Sequence, residues 1–112
     1  MSSAANHWDV PLPAKELPVW LAVVPDVKDS KRLEIRQQHL ENAKAAFKHG
    51  WMLQGGATFE AEHGSRMTGS FVLIRGESAS HVKELLSKDI YTTGGAWDVE
   101  KATITAVVVA NK

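Results

Sequence analysis

No cysteine occurs in the 112 residues, which excludes disulfides, thiolate nucleophiles and thiolate metal sites. A chain without disulfides suits a reducing compartment, and a cytoplasmic location is expected. There is no excess of either charge: thirteen Lys and Arg balance thirteen Asp and Glu. No net field exists to draw the chain to nucleic acid or to an anionic membrane. No apolar run approaches the roughly 18 residues of a membrane-spanning helix. The first residues lack the apolar segment of a signal peptide. There is no GxGxxG or GKS/T pattern, so no phosphate loop is expected. Five histidines occur, but without HExxH or any paired metal-ligand spacing. Neither a metal nor an organic cofactor is expected.

What is present fits a folded domain. The length suits one unit, and 44% hydrophobic with 23% charged residues is not a disordered composition. A domain this small buries only about two thirds of its unfolded surface, so its core is thin and a partner subunit would help. Pro11, Pro13 and Pro18 rule out a regular element in the lead. We expect a loose, extended arm over 1–17 and a single α+β domain over 18–112. Strands are predicted over 18–24, 51–58, 67–75 and 102–110. A long helix is predicted over 31–49 and a short one over 79–88, with a glycine-containing loop over 92–97. Asp29 or Ser30 is placed to cap the first helix and Ser78 the second, and Gly50 ends the first. The order β-α-β-β-α-β suggests a ferredoxin-like split fold. Its sheet would be four-stranded and antiparallel, with both helices on one face. The strands are apolar on both sides: Trp20, Ala22 and Val24 alternate with Val19, Leu21 and Val23. Two-sided apolar strands imply two-sided burial, and a second copy on the open face would supply it. A homodimer is therefore expected.

Successive helical residues turn by about 100°, so the long helix can be drawn as a wheel. With Leu33 at zero, Leu40, Phe47 and Ala43 fall at about 340°, 320° and 280°. Ala46 and Ile35 fall at about 220° and 200°. This arc is expected to be buried, opposite Glu34, Gln37, Glu41, Lys44 and Lys48. Arg36 at about 300° and His39 at about 240° interrupt it. Arg32, at about 260° but in the first turn, is expected to reach solvent. A charge inside a buried stripe is costly unless it is paired. Asp89 falls in the middle of the apolar face of the short helix, at its C-terminal end, where a carboxylate opposes the helix dipole. His39 or Arg36 is its expected partner.

These misplaced residues are the candidates for chemistry. Histidine titrates near neutral pH, and a carboxylate can fix its tautomer and raise its basicity. A general acid/base pair of His39 and Asp89 is expected, against the alternative of a network that only locks the helices together. Ser70 is a candidate donor to a substrate oxygen, or a satisfied strand serine. Gly55 and Gly56 open room for a ligand beside the sheet, or mark a bulge. Trp51 and Trp97 are read as core or pocket wall. His49, His63 and His81 are expected in solvent.

Several of these segments resemble one family. Trp20-Leu21-Ala22-Val23-Val24-Pro25-Asp26, followed by Arg32-Leu33-Glu34-Ile35-Arg36-Gln37-Gln38-His39-Leu40, is similar to the strand and R-x-x-H-L helix of the YCII-related (YciI-like) family. Gly55-Gly56-Ala57, Thr68-Gly69-Ser70, Lys88-Asp89-Ile90-Tyr91 and Gly95-Ala96-Trp97 resemble its later motifs in the same order. Ile90 stands where the family has proline. The resemblance implies a dimeric α+β barrel related to muconolactone isomerases. It also implies an active site of His39 and Asp89, and cofactor-free eliminations such as dehydrochlorination. The longer arm and Trp97-Asp98-Val99-Glu100-Lys101 resemble a fungal branch, which implies tailoring of a secondary metabolite.

The expectation is a cofactor-independent lyase or isomerase (dehydration, elimination or cyclisation) acting on a small oxygenated cyclic or aromatic metabolite. His39 moves a proton, Asp89 orients it, and Arg36 or Ser70 stabilises a developing oxyanion. Gly55, Gly56 and Trp97 would border the substrate. The alternative is a non-catalytic small-molecule-binding or accessory protein of a metabolic pathway.

Overall fold

β-Branched and aromatic residues fit a pleated, half-buried surface, and they form four strands here. These are β1 (Val19–Pro25), β2 (Met52–Phe59), β3 (Met67–Arg75) and β4 (Thr103–Val107). The helices are α1 (Arg32–Lys48), α2 (Ala79–Ser87) and a single turn, α3 (Ile90–Thr93), followed by a 3-10 turn at Val99–Lys101. The computed structural model describes residues 6–14 and 16–110. The parts of the expected arm and domain at 1–5, Lys15, Asn111 and Lys112 lie outside the described residues.

The sheet order is β2-β3-β1-β4, with every neighbouring pair antiparallel. This is the ferredoxin-like α+β fold that the element order suggests. Pairing sets the faces: Ala22 opposes Val72 and Ile104, and Trp20 opposes Ile74. Ala22, Val24, Val72 and Ile74 are buried toward the helices, with Val82 and Leu86 of α2. The alternating residues Val19, Leu21, Val23, Phe71 and Leu73 are only half-buried. The last strand ends at Val107, three residues short of the expectation, and Val108 is fully in solvent.

Three expectations are corrected. The wheel of α1 has the right spacing but the wrong centre. Leu33, Leu40 and Phe47 are 79%, 44% and 46% exposed, whereas Arg32, Ala43 and Ala46 are buried. The buried arc is therefore centred near about 240°, on His39. Two alanines let the helix lie close against the sheet, and the large residues flank that contact. Arg36, expected inside the arc, is exposed, and Arg32, expected in solvent, is buried.

Second, the loop expected over 92–97 begins with α3. Asp89 caps that turn by accepting from Tyr91 N, rather than ending α2. It therefore sits at a helix N-terminus, where a carboxylate is favoured. Third, the lead is not loose. Its described residues form no helix or strand, yet Trp8 is 1% exposed within the core and Leu17 is buried beside it. Asn6 donates to Asn42 O of α1 at 3.0 Å, and His7 Nε2 donates to Leu85 O of α2 at 2.9 Å. Trp51 Nε1 donates to Val10 O at 2.8 Å. His49 and His81, expected in solvent, are half-buried; His49 pairs with Asp9 at 2.8 Å.

Candidate active site

Between α1 and the β2–β3 side of the sheet lies a cavity of about 180 Å³. Cavities of about 150 Å³ hold a benzene ring, so this one suits a single ring with small substituents. Its walls divide chemically. Leu40, Phe47, Met52, Met67 and Val72 form an apolar side, which explains the exposure of Leu40 and Phe47 at its mouth. Arg32, Arg36, His39, Ser70, Tyr91 and Trp97 form a polar end. Gly55 and Gly56 lie along the β2 edge.

His39 lies on the buried arc of α1, and Asp89 begins the turn that follows α2. Fifty residues apart in sequence, they meet with Nδ1 2.8 Å from Oδ1. Asp89 is 1% exposed and does not line the cavity; it stands behind His39. Its Oδ1 also accepts from Tyr91 N at 2.8 Å, and its Oδ2 accepts from Trp8 Nε1 at 2.9 Å. A carboxylate is an acceptor only, so His39 Nδ1 is the donor of the pair. The neutral imidazole then carries its lone pair on Nε2. Among the described residues Nε2 has no protein partner, and no buried side-chain nitrogen or oxygen is left without one. Nε2 therefore opens on the cavity.

The ring plane is fixed by stacking. His39 lies parallel to Tyr91, with centroids 3.6 Å apart and 2° between planes, and Trp97 meets it edge-on at 5.5 Å. Burial pushes the Tyr91 phenol above its ordinary 10.0, partly offset by the charges of Arg32 and Arg36. Tyr91 is thus a neutral phenol at physiological pH. In the lead, burial holds His7 below its ordinary 6.5, against the opposing pull of its Leu85 O bond and the Asp89 charge.

At the same polar end a second network is built on Arg32. Its guanidinium donates to both oxygens of Asp26, at 3.0 and 3.1 Å, and Nη2 donates to Ser70 Oγ at 2.6 Å. Trp97 Nε1 donates to the same Oγ at 3.0 Å. A hydroxyl has two lone pairs and one proton. Both lone pairs of Ser70 are filled by donor-only groups, and its proton has no acceptor among the described residues. Ser70 therefore offers a donor to whatever enters the cavity.

Two glycines allow this geometry. A side chain at Gly69 would run into the Val24 carbonyl, so glycine lets β1 and β3 close up beside Ser70. Gly95, with φ of 92°, turns the chain so that Ala96 and Trp97 return toward Asp26.

The fold thus brings His39, Arg36, Ser70, Gly55, Gly56 and Trp97 around one cavity and sets Asp89 behind His39. Arg36 borders the cavity from an exposed position and makes no contact with Asp89. Sequence reasoning missed Arg32, Tyr91 and Trp8. The departure at Ile90 is harmless to the backbone, since it is the first residue of α3, where proline would also be accepted. Among the described residues no three His, Asp or Glu side chains gather to hold a metal ion, and no helix is long and apolar enough to cross a membrane.

Fold and site together define a small ferredoxin-like α+β domain with a histidine–aspartate pair opening on a ring-sized cavity. The chain is 33% identical over 98 residues to fusaric acid biosynthesis protein 2 of Gibberella fujikuroi, across 81% of this chain and 93% of that protein. It therefore belongs to the family of that protein. It is also 29% identical over 92 residues to aspercryptin biosynthesis cluster protein B of Emericella nidulans, across 76% of this chain and 59% of that one. These relatives are fungal proteins of secondary metabolism. No family model matches the chain, and the YCII-related resemblance rests on its motifs. The fold is shared with 5-chloro-2-hydroxyhydroquinone dehydrochlorinase from Burkholderia phenoliruptrix, solved with 2,5-dihydroxybenzoquinone. That likeness has a TM-score of 0.67 at 23% identity, over 82% of this chain and 95% of the other.

Proposed function

We propose that this protein is a cofactor-independent lyase or isomerase acting on a small oxygenated cyclic metabolite of a biosynthetic pathway. The observation that carries the reading is the Asp89–His39 bond, which leaves the His39 Nε2 lone pair facing a ring-sized cavity. His39 takes a proton from a C–H or O–H of the substrate. The electron pair moves onto a ring oxygen, which the Ser70 hydroxyl stabilises. A leaving group then departs, or the proton returns at another carbon. Asp89 holds the imidazole through both steps, and Arg36 attracts an anionic substrate at the mouth.

Two comparisons support the substrate class. The protein sharing the fold acts on a chlorinated hydroxyhydroquinone and was solved with a dihydroxyquinone, and the relatives are named for biosynthesis. A polar end where Ser70 donates and His39 accepts, with the Tyr91 phenol and Arg36 beside them, suits a ring bearing both carbonyl and hydroxyl. The working assembly is a cytoplasmic homodimer, with the half-buried sheet face of Leu21, Val23, Phe71 and Leu73 covered by a second copy. Light scattering at micromolar concentration is expected to give twice the chain mass, and a monomeric mass overturns this part.

The test of the chemistry is turnover of monocyclic hydroxyquinones and hydroxyenones by wild type and His39→Ala. General acid/base groups contribute about 10²–10⁴-fold, so a loss of at least about a hundredfold is expected in a variant that keeps its circular dichroism. Full activity in a folded His39→Ala sinks the mechanism. Binding without turnover by wild type favours the accessory-protein reading.

A further inference from the structure

The lead contributes a residue to the histidine–aspartate pair that the β-α-β-β-α-β body does not supply. Trp8 lies 81 residues before Asp89, and its indole N–H is the only described donor to Asp89 Oδ2. Both groups are about 1% exposed, so no water stands ready to replace the indole. Trp8 does not border the cavity and cannot touch a ligand there. It reaches Asp89 because the lead is pinned on both helices. Asn6 is bonded to α1 and His7 to α2, and Asn6 Oδ1 accepts from Trp8 N at 3.1 Å to set the turn between them.

We propose that Trp8 is a positioning residue for the proposed base. Its N–H holds the Asp89 carboxylate in the one orientation that presents Oδ1 to His39 Nδ1 and to Tyr91 N, so docking of the lead and the fixed tautomer of His39 are one equilibrium. The physical reason is hydrogen-bond accounting. With Oδ2 satisfied, the carboxylate has no gain in turning, and Oδ1 stays on its two donors. Without the indole donor, Oδ2 is an unmet acceptor in a dry site. The carboxylate turns or swings toward water, Oδ1 leaves His39, and the imidazole is free to carry its proton on Nε2 instead. A base with its lone pair turned away from the cavity does not act.

The inference rests on the histidine–aspartate reading, but its test needs no substrate, so the two fail separately. Histidine-labelled protein is compared by long-range ¹H–¹⁵N NMR above neutral pH, in wild type and Trp8→Phe. Wild-type His39 is expected almost wholly as the Nδ1–H tautomer. In Trp8→Phe the ratio of Nδ1–H to Nε2–H is expected to fall about tenfold or more, while His63 keeps its tautomer ratio. Exchange of the Tyr91 amide, which Asp89 caps, should accelerate by a similar factor. A merely packing role for Trp8 would move neither readout. If phenylalanine fills the site badly and the domain melts, 3-benzothienylalanine at position 8 keeps the indole shape and removes only the N–H. An unchanged tautomer ratio and an unchanged Tyr91 exchange in either folded variant overturn the proposal, as does a wild-type His39 that carries its proton on Nε2.

Discussion

Two carboxylates stand behind the cavity wall, each met by a basic side chain from α1, and they differ in what that side chain can do. Asp26 faces Arg32, a permanent cation that grips both its oxygens in a fork and spends its remaining reach on Ser70. The pair is charge-matched, a guanidinium against a carboxylate. Asp89 faces His39, whose charge can change, and its other donors are a neutral indole and a neutral amide. The first network is a fixed strut around the Ser70 hydroxyl; the second is the one that, in the proposed mechanism, passes a proton to and from the cavity. A buried carboxylate beside a base is thus not by itself a catalytic sign. The proposed role of the second pair rests on its titratable partner and open Nε2.

The strut should carry more stability than the pair. Arg32→Met leaves the Asp26 carboxylate without its cation, and breaking one side of a buried ion pair costs about 3–5 kcal/mol. Urea unfolding measures this. The double variant Asp26→Leu/Arg32→Met should recover most of the loss, because matched apolar replacement of both partners is close to neutral. A single-variant cost below about 1 kcal/mol would place the pair among weak, solvated surface pairs, and the contrast would collapse. Asp89→Asn sets three donors against one amide oxygen, and the new NH₂ meets a donor on one side. A loss of about 1–3 kcal/mol is expected, with loss of any His39-dependent turnover, which separates it from the Arg32 variants.

The contrast was only half legible in the sequence. Strands bounded by proline and glycine and two amphipathic helices gave the element order. The apolar period also flagged His39 and Asp89 as misplaced. The wheel failed at its centre, because a hydrophobic average weights Leu33, Leu40 and Phe47 above alanine. Ala43 and Ala46, being small, set the actual contact with the sheet. Arg32 was misjudged for a related reason. Its burial depends on Asp26, which follows β1 as an isolated bridge to Trp97 outside any helical period, and on Ser70, thirty-eight residues away. Trp8 had the weakest local signal. A large aromatic in a polar, proline-rich lead is a residue in need of a burial place, but nothing near it in sequence names Asp89.

A smaller effect sharpens the strut's role. Ser70→Ala removes the shared acceptor of Arg32 Nη2 and Trp97 Nε1. Arg32 keeps its fork on Asp26, and cavity water can reach both orphaned donors, so the stability cost should stay near about 1 kcal/mol. Affinity for whichever monocyclic hydroxyquinone the turnover screen identifies, read by its visible absorbance on titration, should weaken about tenfold or more, as expected for one lost hydrogen bond to a charged oxygen. Unchanged affinity in the alanine variant would mean that the Ser70 proton does not meet the ligand.

The smallest predicted effect concerns the lead that holds Trp8, and its sign follows from His7. Burial keeps the His7 imidazole below its ordinary 6.5, and the imidazole donates through Nε2 to Leu85 O. Above pH 6.5 the side chain is neutral in both folded and unfolded chains, and its contribution is fully present. As the pH falls below 6.5, the unfolded chain takes up a proton that the folded protein resists. Stability then declines with falling pH until the folded imidazole also titrates. His7→Gln can keep a donor to Leu85 O but cannot titrate, so its stability should fall less between pH 7.5 and pH 5 than that of wild type. Subtracting the two profiles removes the other histidines, including His49 with its Asp9 partner. If the lead docks as one unit with Trp8, the same acid range should also accelerate exchange of the Tyr91 amide, which Asp89 caps, more in wild type than in His7→Gln. Parallel pH profiles for the two proteins would mean that His7 protonation is not resisted by docking, and that the lead is held by Trp8 and Asn6 without it.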